Sequence, residues 1–345
     1  MRAMIRGATR PVRVAPRTIV VGAGLMGHHH ARAAAASGAT IVAIADRDEA
    51  MSAALASHFN GAVSAPGFEQ LVASTDADVV HICTPADAHV ALGGLAASAG
   101  LHALIEKPLA PDAENTRELL GQFDRANLIA CPAHQYAFQR SVRTTIAALP
   151  KLGVVHHVAF DICSAGAVRS GMDLDELVGE ILPHPLAMLQ KFIPEADVGS
   201  AEWSCVRSAP GEWLIAAPLG RTLVTMIMSM SGRPTRFMTK ITADRGTVEL
   251  DNFHDFAVSW PGQVSTAQKI ASPFIRGGLG LFGASRNLLG RAVRREFAYP
   301  GLATLVDEFY AAVQNPKQVA PPITPPEAIA VARARDRISE LAHNG

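Results

Sequence analysis

Along the first part of the chain, short continuous apolar runs alternate with longer stretches in which apolar and polar residues mix at helical spacing. The runs at 18–21, 40–45, 78–83, 102–105 and 128–131 read as strands. The stretches at 25–37, 48–58, 86–98 and 112–126 are rich in alanine or leucine and long enough for about three helical turns. Strand and helix in strict alternation predict a doubly wound parallel sheet over residues 18–135. After a linking helix at 138–149 the texture changes. Consecutive strands with tight turns are expected at 153–163, 200–208, 212–217, 221–230, 235–243 and 247–250, interrupted by a helix at 178–192 and closed by helices at 302–313 and 326–341. This second domain, 136–345, reads as α+β with an open, mostly antiparallel sheet.

Length and composition narrow the possibilities. A chain of 345 residues accommodates two domains with substantial cores. Lysine plus arginine and aspartate plus glutamate both number 31, so the net charge of zero excludes non-specific gathering of nucleic acid. With 49% apolar and 18% charged residues the chain is folded rather than disordered. Cys83, Cys131, Cys163 and Cys205 are widely spaced and form no C-x-x-C pair, which reads as reduced core thiols. The apolar stretch 33–45 lies between Arg32 and Asp46 and falls short of the ~20 residues a bilayer span requires. Arg2, Arg6, Arg10, Arg13 and Arg17 precede any acid, but no apolar segment or cleavage site follows, so residues 1–17 are expected to be a disordered leader and the location cytoplasmic.

The strand 18–21 feeds Gly22-Ala23-Gly24-Leu25-Met26-Gly27, a G-x-G-x-x-G turn that opens a helix. Gly22 permits the tight turn, Gly24 lets the backbone approach a pyrophosphate, and Gly27 lets helix and strand pack closely. The helix N-terminus, with Leu25 and Met26 in its first turn, offers N–H donors to phosphates. Asp46 ends the second strand, where a carboxylate accepts bonds from adenosine ribose hydroxyls. That favours NAD, while Arg47 next to it keeps NADP open by clamping a 2′-phosphate. The same turn also serves flavin and S-adenosylmethionine, but no second dinucleotide signature supports flavin. His28, His29 and His30 point in different directions on a helix, and a packing or capping role is expected rather than a metal site.

At the carboxyl ends of later strands stand Thr84-Pro85-Ala86-Asp87-Ala88-His89 and Glu106-Lys107-Pro108, followed by His134-Gln135-Tyr136-Ala137-Phe138. This ordered set, G-x-G-x-x-G-x-x-H, T-P-x-x-x-H, E-K-P and H-Q-x-x-F, resembles the glucose-fructose oxidoreductase, inositol dehydrogenase and rhizopine-catabolism family (Gfo/Idh/MocA) over about residues 18–260. The resemblance implies a Rossmann domain, a substrate-binding and oligomerisation domain, and a nicotinamide-dependent dehydrogenase of a sugar, cyclitol or nucleotide sugar. It places Gly22, Gly24, Gly27 and His30 in the cofactor turn. Thr84, Pro85, His89, Glu106, Lys107 and Gln135 would lie along the dinucleotide. Lys107 would reach both the nicotinamide ribose and the substrate hydroxyl, and a lysine at a strand end suits acid-base work in its own right.

Gly179-Glu180-Ile181-Leu182-Pro183-His184 resembles the family's D-x-G-x-H segment, with His184 as the catalytic histidine and Glu180 in place of its aspartate. Spacing i, i+4 puts both on one helix face. A histidine takes a hydroxyl proton as hydride leaves carbon, and a neighbouring carboxylate orients its ring. Glutamate for aspartate, and Ala187 where many members carry a second acid, reshape the wall that faces a sugar. The resemblance also implies a homodimer or homotetramer through the second sheet.

Two other functions stay open. One is a redox-neutral enzyme with resident NAD, carrying out epimerisation, elimination or oxidoreduction between two substrates; the other is a catalytically silent cofactor-binding protein. Residues 264–300 mix Gly277, Gly278, Gly280, Gly283 and Gly290 with Phe274, Leu281, Phe282 and six basic residues. They read as a lid or insertion, or else as a clamp for a phosphate-bearing or lipid-linked substrate. Trp203, Trp213 and Trp260 are expected in the core or at a subunit interface.

Overall fold

A computed structural model describes residues 12–164, 173–262, 265–294 and 298–344, which form two compact units. The first comprises residues 1–134 and 302–332, and the second 135–301 with 333–345. Residues 1–11 of the expected leader lie outside the described residues. From Arg13 on, the leader expectation fails. Arg13 bonds Asp78 at 3.0 Å, and the Arg17 N–H donates to the same carboxylate at 2.9 Å.

In the first unit, β1 (Arg17–Val21), α1 (Leu25–Ala36), β2 (Thr40–Ala45), α2 (Glu49–Ala56), β3 (Val63–Ala65) and α3 (Phe68–Ser74) make the first half. β4 (Val79–Ile82), α4 (His89–Ser98), β5 (His102–Ile105), α5 (Ala113–Arg125) and β6 (Ala130–Pro132) make the second. The sheet order is β3-β2-β1-β4-β5-β6, every pair parallel. β4 and β5 are buried at every residue, which is why they appear in the sequence as unbroken apolar runs. β3 and α3 were missed: Val63 and Ser64 are exposed, so burial leaves no apolar run there. α5 turns Leu119, Leu120 and Phe123 inward, each contributing about 1.5–3 kcal/mol of burial. The order reverses between β1 and β4, so the crevice at their carboxyl ends is where such a sheet takes a ligand.

In the second unit, α6 (Arg140–Leu152) leads into β7 (Val155–Cys163), then α7 (Leu174–Ile181) and α8 (Pro183–Phe192). Six strands follow: β8 (Ser204–Ala209), β9 (Glu212–Leu219), β10 (Thr222–Ser229), β11 (Arg236–Ala243), β12 (Gly246–Asp251) and β13 (Phe256–Pro261). The sheet order is β13-β12-β11-β7-β10-β9-β8. It is antiparallel except for β7 with β10, a parallel pair that a simple meander does not contain. Along β9 and β10 burial alternates, with Trp213, Ile215, Val224, Met226 and Met228 in the core and Leu214, Leu223 and Ile227 outside.

Residues 264–300, read as a lid or insertion, contain one long helix, α9 (Thr266–Arg294). α10 (Leu302–Gln314) and α11 (Pro325–Asn344) close the chain. The sequence reading put α10 with the second domain, but it counts with the first, because its Tyr310 hydroxyl bonds Thr18 of β1 at 3.0 Å and His81 of β4 at 3.1 Å. All four cysteines are free thiols. No helix among the described residues is long and apolar enough to cross a membrane.

His102 at the start of β5 couples this fold to pH. Its Nδ1 accepts the Ile129 N–H at 2.9 Å, a bond only the neutral nitrogen makes, and burial lowers its pKa from 6.5 to about 4 despite the pull of Asp78. The unfolded chain therefore takes up this proton first. Stability held above about pH 6.5 is lost as pH falls toward about 4, by roughly 2–3 kcal/mol for this group. Urea unfolding from pH 7 to 4.5 should show this loss. The His102→Asn variant, which keeps an acceptor without a titrating ring, should show a shallower one.

Candidate active site

The glycine turn is built by contacts no side chain tolerates. Gly22 has φ +95°, and a Cβ there would lie 2.6 Å from the Cys83 carbonyl oxygen. A Cβ on Gly27 would fall 1.8 Å from the Gly22 carbonyl oxygen, so this glycine lets α1 press against the end of β1. Gly24 is different, with nothing within 4 Å of its Cβ position. Asp46 ties the turn to β2: one carboxylate oxygen accepts the Ala23 N–H at 2.6 Å and the other the Asp48 N–H at 2.9 Å. Each oxygen keeps a lone pair for a ribose hydroxyl. Leu25 and Arg47 are exposed and Met26 is half-buried.

Three observations fit a dinucleotide. Space is open above Gly24. Among the described residues no side chain caps the first N–H groups of α1. Thr84 Oγ1 is buried without a partner among the described residues.

Behind the turn runs a buried polar chain. Glu106 at the end of β5 is only 6% exposed; its Oε1 takes a bond from His30 Nε2 at 3.0 Å and its Oε2 the Lys107 N–H at 3.1 Å. His30 Nδ1 lies 3.1 Å from His81 Nδ1, His81 Nε2 lies 3.1 Å from the Tyr310 hydroxyl, and that hydroxyl lies 3.0 Å from Thr18 Oγ1. With His30 donating to Glu106, a consistent set follows: His81 donates to His30, Tyr310 to His81, and Thr18 to Tyr310. Burial pushes the Glu106 carboxyl up, but the hydrogen bonds from His30 and the Lys107 N–H, with the charge of Lys107, hold it below its ordinary value. Burial first, and His30 second, keep His81 well below the usual histidine range. His30 thus packs and bonds, as a histidine facing the core does. Glu106, expected along the cofactor, instead faces His30 and the Lys107 backbone.

Lys107 is half-buried just past β5, and its peptide to Pro108 is cis. His89, at the start of α4, stands between the two loops. Its Nδ1 lies 2.8 Å from the Pro108 carbonyl oxygen and its Nε2 2.9 Å from that of Thr84. Pro85, exposed, precedes the turn that leads to His89.

In the second unit, Asp173 caps α7, bonding the Asp175 N–H at 2.8 Å. Asp175, buried, accepts Gly211 N–H at 2.7 Å, Trp213 Nε1–H at 2.8 Å and Arg207 at 2.9 Å, which clamps α7 to β9. Pro183 and Pro185 interrupt the helical hydrogen bonds, yet Leu182 keeps helical dihedrals of −53° and −34°. Glu180, half-buried at the end of α7, and His184, 7% exposed in α8, therefore stay about one turn apart on a jointed rod. The Tyr136 ring packs edge-on against His184 with centroids 4.7 Å apart, and Gln135 beside it is buried. Burial, then Tyr299, pushes the Tyr136 phenol up to about 12, so it remains a donor at neutral pH.

Residues 17–134 match the model of the "Oxidoreductase family, NAD-binding Rossmann fold". This segment belongs to the Gfo/Idh/MocA oxidoreductases. Among curated relatives of the Gfo/Idh/MocA segment is UDP-N-acetylglucosamine 3-dehydrogenase of Acidithiobacillus ferrooxidans, 33% identical over 118 residues, or 34% of this chain and 36% of that one. Another is inositol 2-dehydrogenase of Corynebacterium glutamicum, 39% identical over 106 residues, covering 30% and 32%. The matches thus span about a third of those relatives. Over nearly the whole chain only the fold compares. A levoglucosan dehydrogenase solved with NADH and levoglucosan superposes with a TM-score of 0.76 at 16% identity, covering 96% of this chain and 98% of that one.

His81 and Tyr310 escaped the sequence reading because one lies inside an apolar strand and the other 229 residues away. Tyr136 stood in a quoted motif, but nothing in spacing shows a ring against His184.

The two inner glycines separate folding from binding. Gly27→Ala should lower the melting temperature of the ligand-free chain by roughly 5–10 °C, since backbone must move to admit the methyl. Gly24→Ala, which meets only open space, should leave it within about 2 °C. Differential scanning calorimetry of both variants checks this.

Proposed function

We propose that the chain is a dehydrogenase that uses NAD, in preference to NADP, to transfer a hydride between the nicotinamide and an alcohol or ketone carbon of a sugar, cyclitol or nucleotide sugar. The observation that carries the reading is the Lys107 loop. Glu106 holds its backbone from behind and His89 stands between it and the Thr84 loop, at the carboxyl end of a parallel sheet whose glycine turn fits a dinucleotide. A half-buried cation so fixed serves chemistry better than solubility. The named activities of the relatives on inositol and UDP-N-acetylglucosamine support the substrate class.

NAD, when bound, supplies the hydride acceptor or donor. Gly22, Gly24, Leu25, Met26 and Gly27 cradle its pyrophosphate, and Asp46 receives its ribose hydroxyls. Thr84, Pro85 and Gln135 line its path. Lys107 polarises the substrate oxygen, His184 takes the hydroxyl proton in oxidation and returns it in reduction, and Glu180 supports the histidine. The Tyr136 ring fixes the orientation of the imidazole.

We also assign pairing with further copies, as a homodimer or homotetramer, to the outer face of the second sheet. Val206, Leu214 and Ile227 stand side by side across β8, β9 and β10, all exposed. Such a stripe calls for cover.

Purified protein should reduce NAD at 340 nm with at least one compound from a panel of myo-inositol, UDP-N-acetylglucosamine and aldoses. Lys107→Ala and His184→Ala should each lower kcat by about 10²–10⁴-fold while keeping the fold and NAD binding. A variant with full activity removes that residue from the proposal; NAD retained through purification with no turnover favours the redox-neutral reading. Sedimentation should show Leu214→Glu at a lower mass than wild type, and an unchanged mass rejects this pairing face.

A further inference from the structure

We propose that α9 docks the protein on an anionic membrane surface, lying in the headgroup plane with its apolar face in the lipid. α9 is amphipathic, but mounted in reverse. At 3.6 residues per turn, Ile270, Phe274, Leu281, Phe282, Leu288 and Val293 fall within an arc of roughly 140°. This arc points away from the protein: Phe274, Leu281, Leu288 and Val293 expose 84%, 73%, 70% and 85% of their surface.

The opposite side faces the sheet. Arg276 lies 5.0 Å over the Trp260 ring and bonds Glu249 at 3.0 Å. Asn287 and Arg291 both donate to the His254 carbonyl oxygen. Gly283 lies over Phe256 and Val258 of the sheet. An ordinary surface helix buries its apolar stripe and shows its charges. Here polar groups make the attachment, and nine large apolar residues between Ile270 and Val293 are left outside. Exposed apolar residues are unremarkable singly, but a contiguous row of them marks an interaction surface.

Charge selects the occupant. Lys269 and Arg286 are exposed on this helix, Arg276 and Arg291 are turned to the sheet, and the helix contains no aspartate or glutamate, in a chain whose net charge is zero. Arg286 also lines, with Arg140 and Asp255, a cavity of about 430 Å³ between α9, β13 and the start of α6. An outward apolar face on a helix that bears no carboxylate and whose exposed cations include Lys269 and Arg286 matches a layer of hydrocarbon under phosphate headgroups. A second copy would set the same cations against each other with no carboxylate on the helix to answer them. At 29 residues α9 is about 44 Å long, and it is not apolar enough to span, so it lies flat.

The test is flotation of the full-length protein with two kinds of vesicle, phosphatidylcholine alone and phosphatidylcholine containing phosphatidylglycerol, at physiological salt. Wild type should float with the anionic vesicles and bind neutral ones at least tenfold more weakly. Phe274→Glu/Leu281→Glu, both exposed, should lose at least tenfold of the anionic binding with unchanged circular dichroism and melting temperature. Arg286→Glu should lose several-fold. Absence of wild-type binding, or equal binding by the double variant, overturns the proposal. So does a double variant that leaves vesicle binding intact but lowers the sedimenting mass, which would assign the face to a second copy.

Discussion

A buried carboxylate organises the nucleotide unit. Glu106 is withdrawn from water at a cost of several kcal/mol unless paired, so the end of β5 is stable only where His30 of α1 meets it. His30 in turn needs His81 of β4, and His81 needs Tyr310 of α10, which also meets Thr18 of β1. Each member left single would be a buried unsatisfied group, so the chain of bonds holds β1, β4, β5, α1 and α10 in one register. Its surface consequence is local: the helix that starts at the glycine turn and the loop that carries Lys107 are fixed to one another.

The second unit uses the same device once more. Asp175 is buried and answered by two N–H donors and a guanidinium, and burial's upward push on its carboxyl is outweighed by Arg207, Gly211 and Trp213. The clamp sets α7 on β9, and the helical dihedrals at Leu182 carry that placement on to His184. In both units a polar group that faces inward decides where a chemically useful neighbour stands. On the outside of the second unit, the apolar stripe of β8–β10 and the outward face of α9 are surplus to that unit's own core.

Much of this was legible in the sequence, for identifiable reasons. Parallel strands buried on both faces leave unbroken apolar runs, so β2 and β5 were placed residue for residue. The glycine turn was legible because a Cβ on Gly22 or Gly27 would run into neighbouring backbone, which only glycine avoids. Pairing order is a different matter: periodicity shows that β7 and β10 are strands but not that they run side by side and parallel. β3 is short and exposed, and β13 lacks a strict apolar alternation. The glycines of 277–290 disguised α9, because propensity argued against a helix whose apolar residues nevertheless share one arc. Glu106 belonged to a motif that suggested ligand contact, while the reason for its presence, a histidine 76 positions earlier, is visible only in three dimensions.

The central claim is that the turn from Gly22 to Gly27, with Asp46, holds NAD. Its most direct test is calorimetric titration of the ligand-free protein with NAD and NADP, alongside the Asp46→Ala and Gly24→Ala variants. The account predicts micromolar binding of NAD, weaker binding of NADP, and a loss of at least tenfold in each variant without loss of fold. Equal affinities for NAD in wild type and both variants, or no binding of either dinucleotide by the wild type, would contradict it.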